Sequence, residues 1–410
     1  MTRPRAMVIG GSLSGLFTAN LLRISGWHVE VFERARGDLS GRGAGLGAQS
    51  ELFSVMRRVG IPIEESIWAE VHSHICLDRT GEMLCQVPVR EANTAWDRVY
   101  HALRHAFPTE FYRGGMTLAR CEQHECGVTA VFADGSRATA DLLVGADGMR
   151  STVRRQLMPE ALPCYAGYVA WRGVLEESQI PANWRSTALD HMVFCLPDGE
   201  LAFTVPMAAP DDLRRVRRCM FVWFRPADYS STLRHWCTDA TGHCHGDSIP
   251  PPLIRPELIT EFNLAGRALL APQLAGLVQR IDEPILSAVF DLESPRMTFG
   301  RVALVGDAAF VARPHVGTGV TKAALDAQAL ADALAGSSGN LIGVLADYEH
   351  ARKQPGSQLV ARSRHLGAHL EPPRSGCDEG RRPRPPIETL LREYGTGSIT
   401  EWPSVRAGRA

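Results

Sequence analysis

The sequence predicts an α/β protein: a parallel-sheet domain of strand–glycine turn–helix units, with a second, mainly antiparallel β-sheet inserted into it. Three observations predict it. The chain opens with a short apolar run, a glycine-rich turn and a helical pattern, then a second apolar run ending on an acid. The strand–glycine/aspartate–helix order recurs near residues 142–154 and 302–326. Between these recurrences, residues 165–290 hold alternating apolar and polar stretches separated by turn signals, the habit of antiparallel strands.

Residues 5–9 suit a buried parallel strand. The run breaks at Gly10-Gly11-Ser12-Leu13-Ser14-Gly15, and a helical pattern continues through Leu16, Phe17, Ala19, Leu21 and Leu22 until Gly26. A second strand, residues 29–32, leads into Glu33. This is the order of a Rossmann-type dinucleotide-binding unit. Gly10 permits the tight turn and Gly15 lets the helix lie close to the sheet. The free N–H groups at the helix start, around Ser12, Leu13 and Ser14, attract a pyrophosphate. Glu33, 18 residues beyond Gly15, can accept hydrogen bonds from ribose hydroxyls. Ser12 stands where a second glycine is usual, and it is small enough for phosphate to approach. A merely structural turn is the competing reading.

The two later units, each of which alone could be an ordinary turn and cap, together point to a flavin over a nicotinamide. Residues 142–148 form an apolar run ending in Gly145-Ala146-Asp147-Gly148, and residues 302–309 repeat it with Gly306-Asp307. A carboxylate at a strand end can accept from ribitol or ribose hydroxyls. Gly317, Gly319 and Val320 then open another helix, whose N–H groups can stabilise charge on a flavin's pyrimidine edge. In the loop of residues 41–47, Gly45 can bring backbone against a ribityl chain and Arg42 can reach a phosphate, or the loop is a plain connector.

The stretches GGSLSG, GADGMRSTVR and VGDAAFVARPHVGTG resemble the three fingerprints of single-component FAD-dependent aromatic hydroxylases, the para-hydroxybenzoate hydroxylase-like class. The resemblance covers roughly residues 5–365. Residues 165–175 with Arg313-Pro314-His315 are similar to the 2,6-dihydroxypyridine 3-hydroxylase branch. The resemblance implies FAD contacts at Ser12, Ser14, Gly15, Glu33, Arg34 and Arg42, with Leu118 beside the adenine. It implies Asp147 near the pyrophosphate, Asp307 on the ribitol, and Gly317, Gly319 and Val320 at the isoalloxazine edge. It further implies non-covalent FAD reduced by NADH or NADPH, O₂ addition as a flavin C4a-hydroperoxide, and oxygen transfer to an electron-rich ring. Tyr100, Phe310 and Lys322 depart from residues common among relatives, and the resemblance to the dihydroxypyridine branch extends to the Tyr and the Lys. No second glycine fingerprint marks a separate nicotinamide domain. A reductase without oxygen transfer and a non-catalytic flavoprotein are the alternative readings.

The implied division assigns residues 1–72, 98–164 and 291–370 to the FAD-binding domain and residues 73–97 and 165–290 to the substrate domain. Arg172, charged within an apolar strand, is the first substrate candidate: an anion would compensate it, as would a structural ion pair. His315, in the loop over the flavin, could deprotonate a substrate hydroxyl or brace its loop. Trp171 and Tyr168 could stack on a planar substrate or pack in the core.

Composition narrows the class. Forty-five per cent hydrophobic and 22% charged residues are ordinary for a globular protein. A net charge of −1 argues against nucleic acid, and no apolar run is long enough to cross a membrane. The N-terminus reads as a strand, not a leader, so a cytoplasmic location is expected. The 10 cysteines include no CxxC pair, which favours free thiols. His235, Cys237, His243, Cys244 and His245 match no zinc spacing, and no metal is expected. Expected partners are a small aromatic substrate and O₂, with a homodimer left open. Residues 371–410, rich in proline and arginine, read as a mobile tail in which residues 387–394 could form a short helix, with docking on a partner chain as the alternative.

Overall fold

The computed structural model describes residues 3–41, 45–64, 67–208, 216–335, 340–372 and 382–394. Arg42 lies outside the described residues, as do residues 373–381 and 395–410 of the tail.

The first apolar run forms the strand Arg5–Ile9, which pairs in parallel with Leu142–Gly145 on one side and His28–Glu33 on the other. Val302–Leu304 adds to Leu142–Gly145, and Tyr112–Gly114 extends the opposite edge, both in parallel. Ala6, Met7, Val8 and Ile9 are all buried, as a central strand covered on both faces requires. The helices Leu13–Ile24 and Gly319–Ala335 pack together beside this sheet. Parallel pairing thus brings three turns, after Ile9, Gly145 and Leu304, to the same strand ends, although they are far apart in sequence.

The second sheet runs Ser248–Ile249, Ile285–Glu293, Cys164–Glu176, Arg218–Pro226, Leu201–Met207, His191–Cys195, Ala69–Leu77, Met83–Ala95 and Gly45–Gly47. Its pairings are antiparallel except His191–Cys195 with Ala69–Leu77. The strand Gly45–Gly47 joins this sheet, so the glycine loop assigned to the nucleotide domain is physically an edge of the second layer.

Because side chains alternate along a strand, Cys164–Glu176 serves two cores. Val169, Trp171 and Leu175 pack with Phe221, Trp223 and the helices Pro256–Leu269 and Pro272–Val278. Tyr168 and Ala170 face the other way with Phe203, Val205, Met220, Val222 and Phe224. A separate three-stranded antiparallel sheet, Leu118–His124, Gly127–Phe132 and Arg137–Ala140, was not foreseen from the sequence.

The tail requires a correction. Helix Ile387–Glu393 is docked, with Leu390, Leu391 and Tyr394 buried, so these residues are not a mobile end. Their apolar side chains outweigh the proline- and arginine-rich composition that precedes them. No helix among the described residues is long and apolar enough to cross a membrane.

Candidate active site

Three adjoining cavities of about 340, 310 and 430 Å³ run along the strand ends into the space beneath the second sheet. The first is walled by Gly10, Ser12, Glu33, Arg34, Leu118, Asp147 and Gly148. The second adds Leu13, Ser14, Gly45, Asp307, Gly317, Gly319 and Val320. Asp307 and Gly317 also line the third, together with Arg172 and His315. Trp96 lines all three, at the first residue of the helix Trp96–Ala106. Trp96 was not among the residues singled out from the sequence. A tryptophan directly before an amphipathic pattern was the available signal.

The first turn is sterically committed. Gly10 has φ +107°, and a Cβ there would lie 2.4 Å from the Ala146 carbonyl oxygen. A Cβ on Gly15 would lie 1.9 Å from the carbonyl of Gly10, so helix and turn touch as the glycine pattern implies. Glu33 accepts hydrogen bonds from the Gly11 N–H at 2.7 Å and the Ala35 N–H at 2.9 Å, which fixes its carboxylate at the turn.

Asp147 divides its carboxylate between two tasks. Oδ2 accepts from the Thr152 and Val153 N–H groups at 2.7 and 3.2 Å, capping the helix Thr152–Leu157. Oδ1 is buried without a hydrogen-bond partner, and so are Ser14 Oγ and Thr318 Oγ1. All three residues wall the first two cavities. Buried polar atoms are ordinarily satisfied, so these orphans fit a polar, elongated cofactor lying along the strand ends. Burial raises the Asp147 carboxyl above its ordinary range, against the pull of its hydrogen bonds. Asp307 is raised too, by the protein around it and by the Asp326 carboxylate, while Lys322 opposes the shift.

Lys322 explains its own presence. Its Nζ donates to the carbonyls of Gly306 at 2.5 Å and Phe310 at 3.1 Å and pairs with Asp326 at 3.0 Å. Asp326 also accepts from Arg352 Nε at 2.8 Å and the Gly306 N–H at 3.1 Å. This buried network clamps the turn that presents Asp307. Arg154, fully buried, donates to the carbonyls of Ala161, Ala308 and Met149 and ties the Asp147 turn to the Asp307 turn.

The third cavity is apolar over most of its wall, with Met192, Phe203, Val205, Met220, Val222 and Phe224. Arg172 is its only lining cation among the described residues. The guanidinium donates to Ser287 Oγ at 2.6 Å, its Nε is buried without a hydrogen-bond partner, and burial alone lowers its pKa. No carboxylate pairs with it among the described residues, so the structural ion pair considered from sequence is not there.

His315 is buried between two tyrosines. Its Nε2 meets the Tyr168 hydroxyl at 2.6 Å and its Nδ1 meets the Tyr394 hydroxyl. Burial, with Arg313 and His369 nearby, holds its pKa well below the ordinary 6.5, so the ring is neutral. Tyr168 does not line the cavity and stands behind His315. Trp171 points to the opposite face of the sheet, stacked on Phe262 at 4.8 Å between centroids, and cannot stack on a ligand in the cavity. Strand alternation separates it from Arg172. Tyr394 was missed altogether because it sits in the tail, where composition masked its burial.

Among the described residues, no group of three or more His, Cys, Asp and Glu side chains could hold a metal ion. His245 instead pairs with Asp239 at 2.8 Å.

Residues 285–363 match a family described as FAD binding domain, and residues 165–291 one described as FAD binding domain-like. Over 373 residues the chain is 32% identical to 2,6-dihydroxypyridine 3-monooxygenase of Paenarthrobacter nicotinovorans, covering 90% of this chain and 92% of that one. It is 28% identical to a salicylate hydroxylase of Pseudomonas putida over 92% of this chain and 88% of the other. The solved 2,6-dihydroxypyridine-3-hydroxylase from Arthrobacter nicotinovorans superposes with a TM-score of 0.87 at 31% identity, covering 98% of this chain and 99% of that structure. A Klebsiella pneumoniae protein solved with FAD and uric acid shares the fold, with a TM-score of 0.73 at 23% identity, over 92% and 90% of the two chains. With the nucleotide-shaped slot, the orphaned polar atoms along it and these relatives in agreement, the chain belongs to the family of FAD-dependent aromatic-ring monooxygenases.

Proposed function

We propose that this chain hydroxylates an electron-rich ring bearing an anionic oxygen, hydroxypyridine-like or hydroxybenzoate-like, using NADH or NADPH and O₂. One observation carries the reading: Arg172, a guanidinium with no carboxylate partner among the described residues, lines a mainly apolar cavity adjoining the FAD slot. An uncompensated buried cation is costly, and an anionic ligand relieves the cost. The relative that acts on 2,6-dihydroxypyridine supports placing hydroxypyridines first.

FAD, bound non-covalently, supplies the redox chemistry and the activated oxygen. The chain supplies the rest. Glu33 would hold the ribose of the adenosine half, beside Leu118, Arg34 and the Gly10–Gly15 turn. Asp307 accepts from the ribitol hydroxyls. Gly319 and Val320 would present N–H groups at a helix start to the flavin's pyrimidine edge, and Gly317, whose own N–H donates to the Pro314 carbonyl at 3.1 Å, turns the chain into that helix. Arg172 orients the ring through its anionic oxygen, and the phenylalanine, valine and methionine walls exclude water. His315, neutral at the cavity wall, has both ring nitrogens engaged by the Tyr168 and Tyr394 hydroxyls, so it acts on the ring through these hydroxyls and takes no proton from it directly. Residues 73–97 and 165–290, with the edge strand Gly45–Gly47, form the substrate side, and the nucleotide side is built from 1–72, 98–164 and 291–370. The same reading takes a cytoplasmic protein whose partners are the aromatic substrate and O₂.

The test is turnover of FAD-loaded protein with NADH or NADPH, labelled dioxygen and a panel of hydroxypyridines and hydroxybenzoates. A product carrying one labelled oxygen atom is expected. Nicotinamide oxidation yielding only hydrogen peroxide with every compound would overturn the substrate class.

A further inference from the structure

The C-terminal segment takes no part in the reading above, yet it reaches the same cavity. Helix Ile387–Glu393 lies against the strands Ala69–Leu77 and Met83–Ala95. The Leu391 carbonyl meets His74 Nδ1 at 2.7 Å, and Arg362 donates to the carbonyl of Glu393 at 3.0 Å. These contacts anchor the next residue, Tyr394. Its ring meets Phe194 and Phe203 edge-on, at 5.6 and 5.5 Å between centroids, and it lines the third cavity.

The hydroxyl of Tyr394 belongs to a chain with one direction. Arg313 can only donate; it is held by Asp291 and Glu371 at 2.7 Å each, and its guanidinium carbon lies 5.8 Å from the centre of the Tyr168 ring. The Arg313 charge draws the oxygen end of the Tyr168 hydroxyl dipole toward it, which turns the tyrosine proton to His315 Nε2, 2.6 Å away. A neutral imidazole that accepts at Nε2 carries its proton on Nδ1, which donates to Tyr394. That leaves the Tyr394 proton free for another acceptor.

We propose that Tyr394 is a substrate-binding residue: the chain Arg313–Tyr168–His315 turns its hydroxyl proton into the cavity, where it donates to a second oxygen of the ring that Arg172 holds. The inference rests on the reading of this cavity as the substrate site. It names the substrate class more closely: a ring with two acceptor oxygens, one anionic and one carbonyl-like or anionic.

The experiment uses the full-length, FAD-loaded protein and its Tyr394→Phe variant, with binding of 2,6-dihydroxypyridine and 2-hydroxypyridine read from the flavin absorbance. One lost hydrogen bond to a charged oxygen predicts that 2,6-dihydroxypyridine weakens about tenfold or more and 2-hydroxypyridine less than about twofold. Equal weakening of both, or of neither, overturns the proposal. Tyr168→Phe breaks the chain one step back and is expected to lose the same discrimination. Nitrogen-labelled histidine spectra of the substrate-free protein read the His315 tautomer directly: Nδ1–H is expected, and Nε2–H overturns the orientation. The groups facing His315 that such a spectrum must allow for are Tyr168, Tyr394, Arg313 and His369. If neither pyridine binds the unaltered protein, the substrate reading fails, while the tautomer still decides the hydrogen-bond chain.

Discussion

The Arg172 guanidinium donates to the Ser287 hydroxyl at 2.6 Å and has no carboxylate to balance its charge among the described residues. Ser287 lies on the neighbouring strand, so the cation is steered by a neutral hydroxyl and keeps its full charge for a ligand. Arg172→Met is expected to lower kcat/KM on the order of 100-fold, mostly through KM, while leaving FAD content unchanged. Thermal stability should hold or rise, since a buried unpaired charge is removed. A large loss of Tm with unchanged KM would make Arg172 structural.

Asp307 projects from a turn clamped by Lys322 and Asp326. Asp307→Ala removes an acceptor without disturbing that clamp, so folding should survive while FAD affinity falls about 10- to 100-fold. The purified variant should be mostly colourless. Full flavin occupancy would refute the assignment to the ribitol.

His315 makes stability depend on pH. Its folded pKa lies well below the ordinary 6.5, so below that pH the unfolded chain takes up a proton that the folded chain refuses. Stability from this group is complete above pH 6.5 and is lost progressively as pH falls toward the folded value. In denaturant titrations His315→Asn should flatten this acid limb. An unchanged slope between neutral and mildly acidic pH would mean that His315 is protonated when folded.

Gly367 closes the back of the Tyr168–His315 pair: a Cβ there would come within 2.4 Å of the tyrosine hydroxyl and 2.8 Å of His315 Nε2. Gly367→Ala is therefore expected to part the two side chains and to raise peroxide release relative to product. Product yield per nicotinamide equal to that of the unaltered protein would show that the contact can yield without cost.

Trp171 is predicted to matter for stability alone. Trp171→Ala should cost about 3–5 kcal/mol, as a large buried ring is lost from its stack on Phe262. Trp171→Phe, which keeps most of the packing, should leave KM unchanged; a several-fold rise would place the ring back in the site.

The nucleotide slot was legible in the sequence because its chemistry is local. Gly10, Asp147 and Asp307 each sit in a turn whose residues announce it, Gly15 lies in the helix that follows the first of them, and parallel pairing then brings the turns together. The substrate side was only half legible. Alternation along 164–176 divides the residues into two faces, but both faces are apolar, so periodicity alone could not say whether Arg172 or Trp171 met the ligand. The helices Pro256–Leu269 and Pro272–Val278 decide it by covering the Trp171 side. Tyr394 was illegible for another reason: its burial depends on contacts with strands some 300 residues earlier, and nothing in its neighbourhood encodes them.

The parallel order of the first sheet also constrains how the protein comes into being. Arg5–Ile9 must wait for Leu142–Gly145, which must wait for Val302–Leu304, and Arg154 reaches across to the Ala308 carbonyl. Such non-local closure is slow and cannot be completed on a partial chain. During synthesis, a ribosome-bound chain that stops before residue 300 holds the lining of the first cavity but lacks Asp307, Gly317 and Gly319 of the second. Cofactor loading is thus a late, near-terminal event, and nascent chains arrested at that length are expected to emerge without flavin fluorescence.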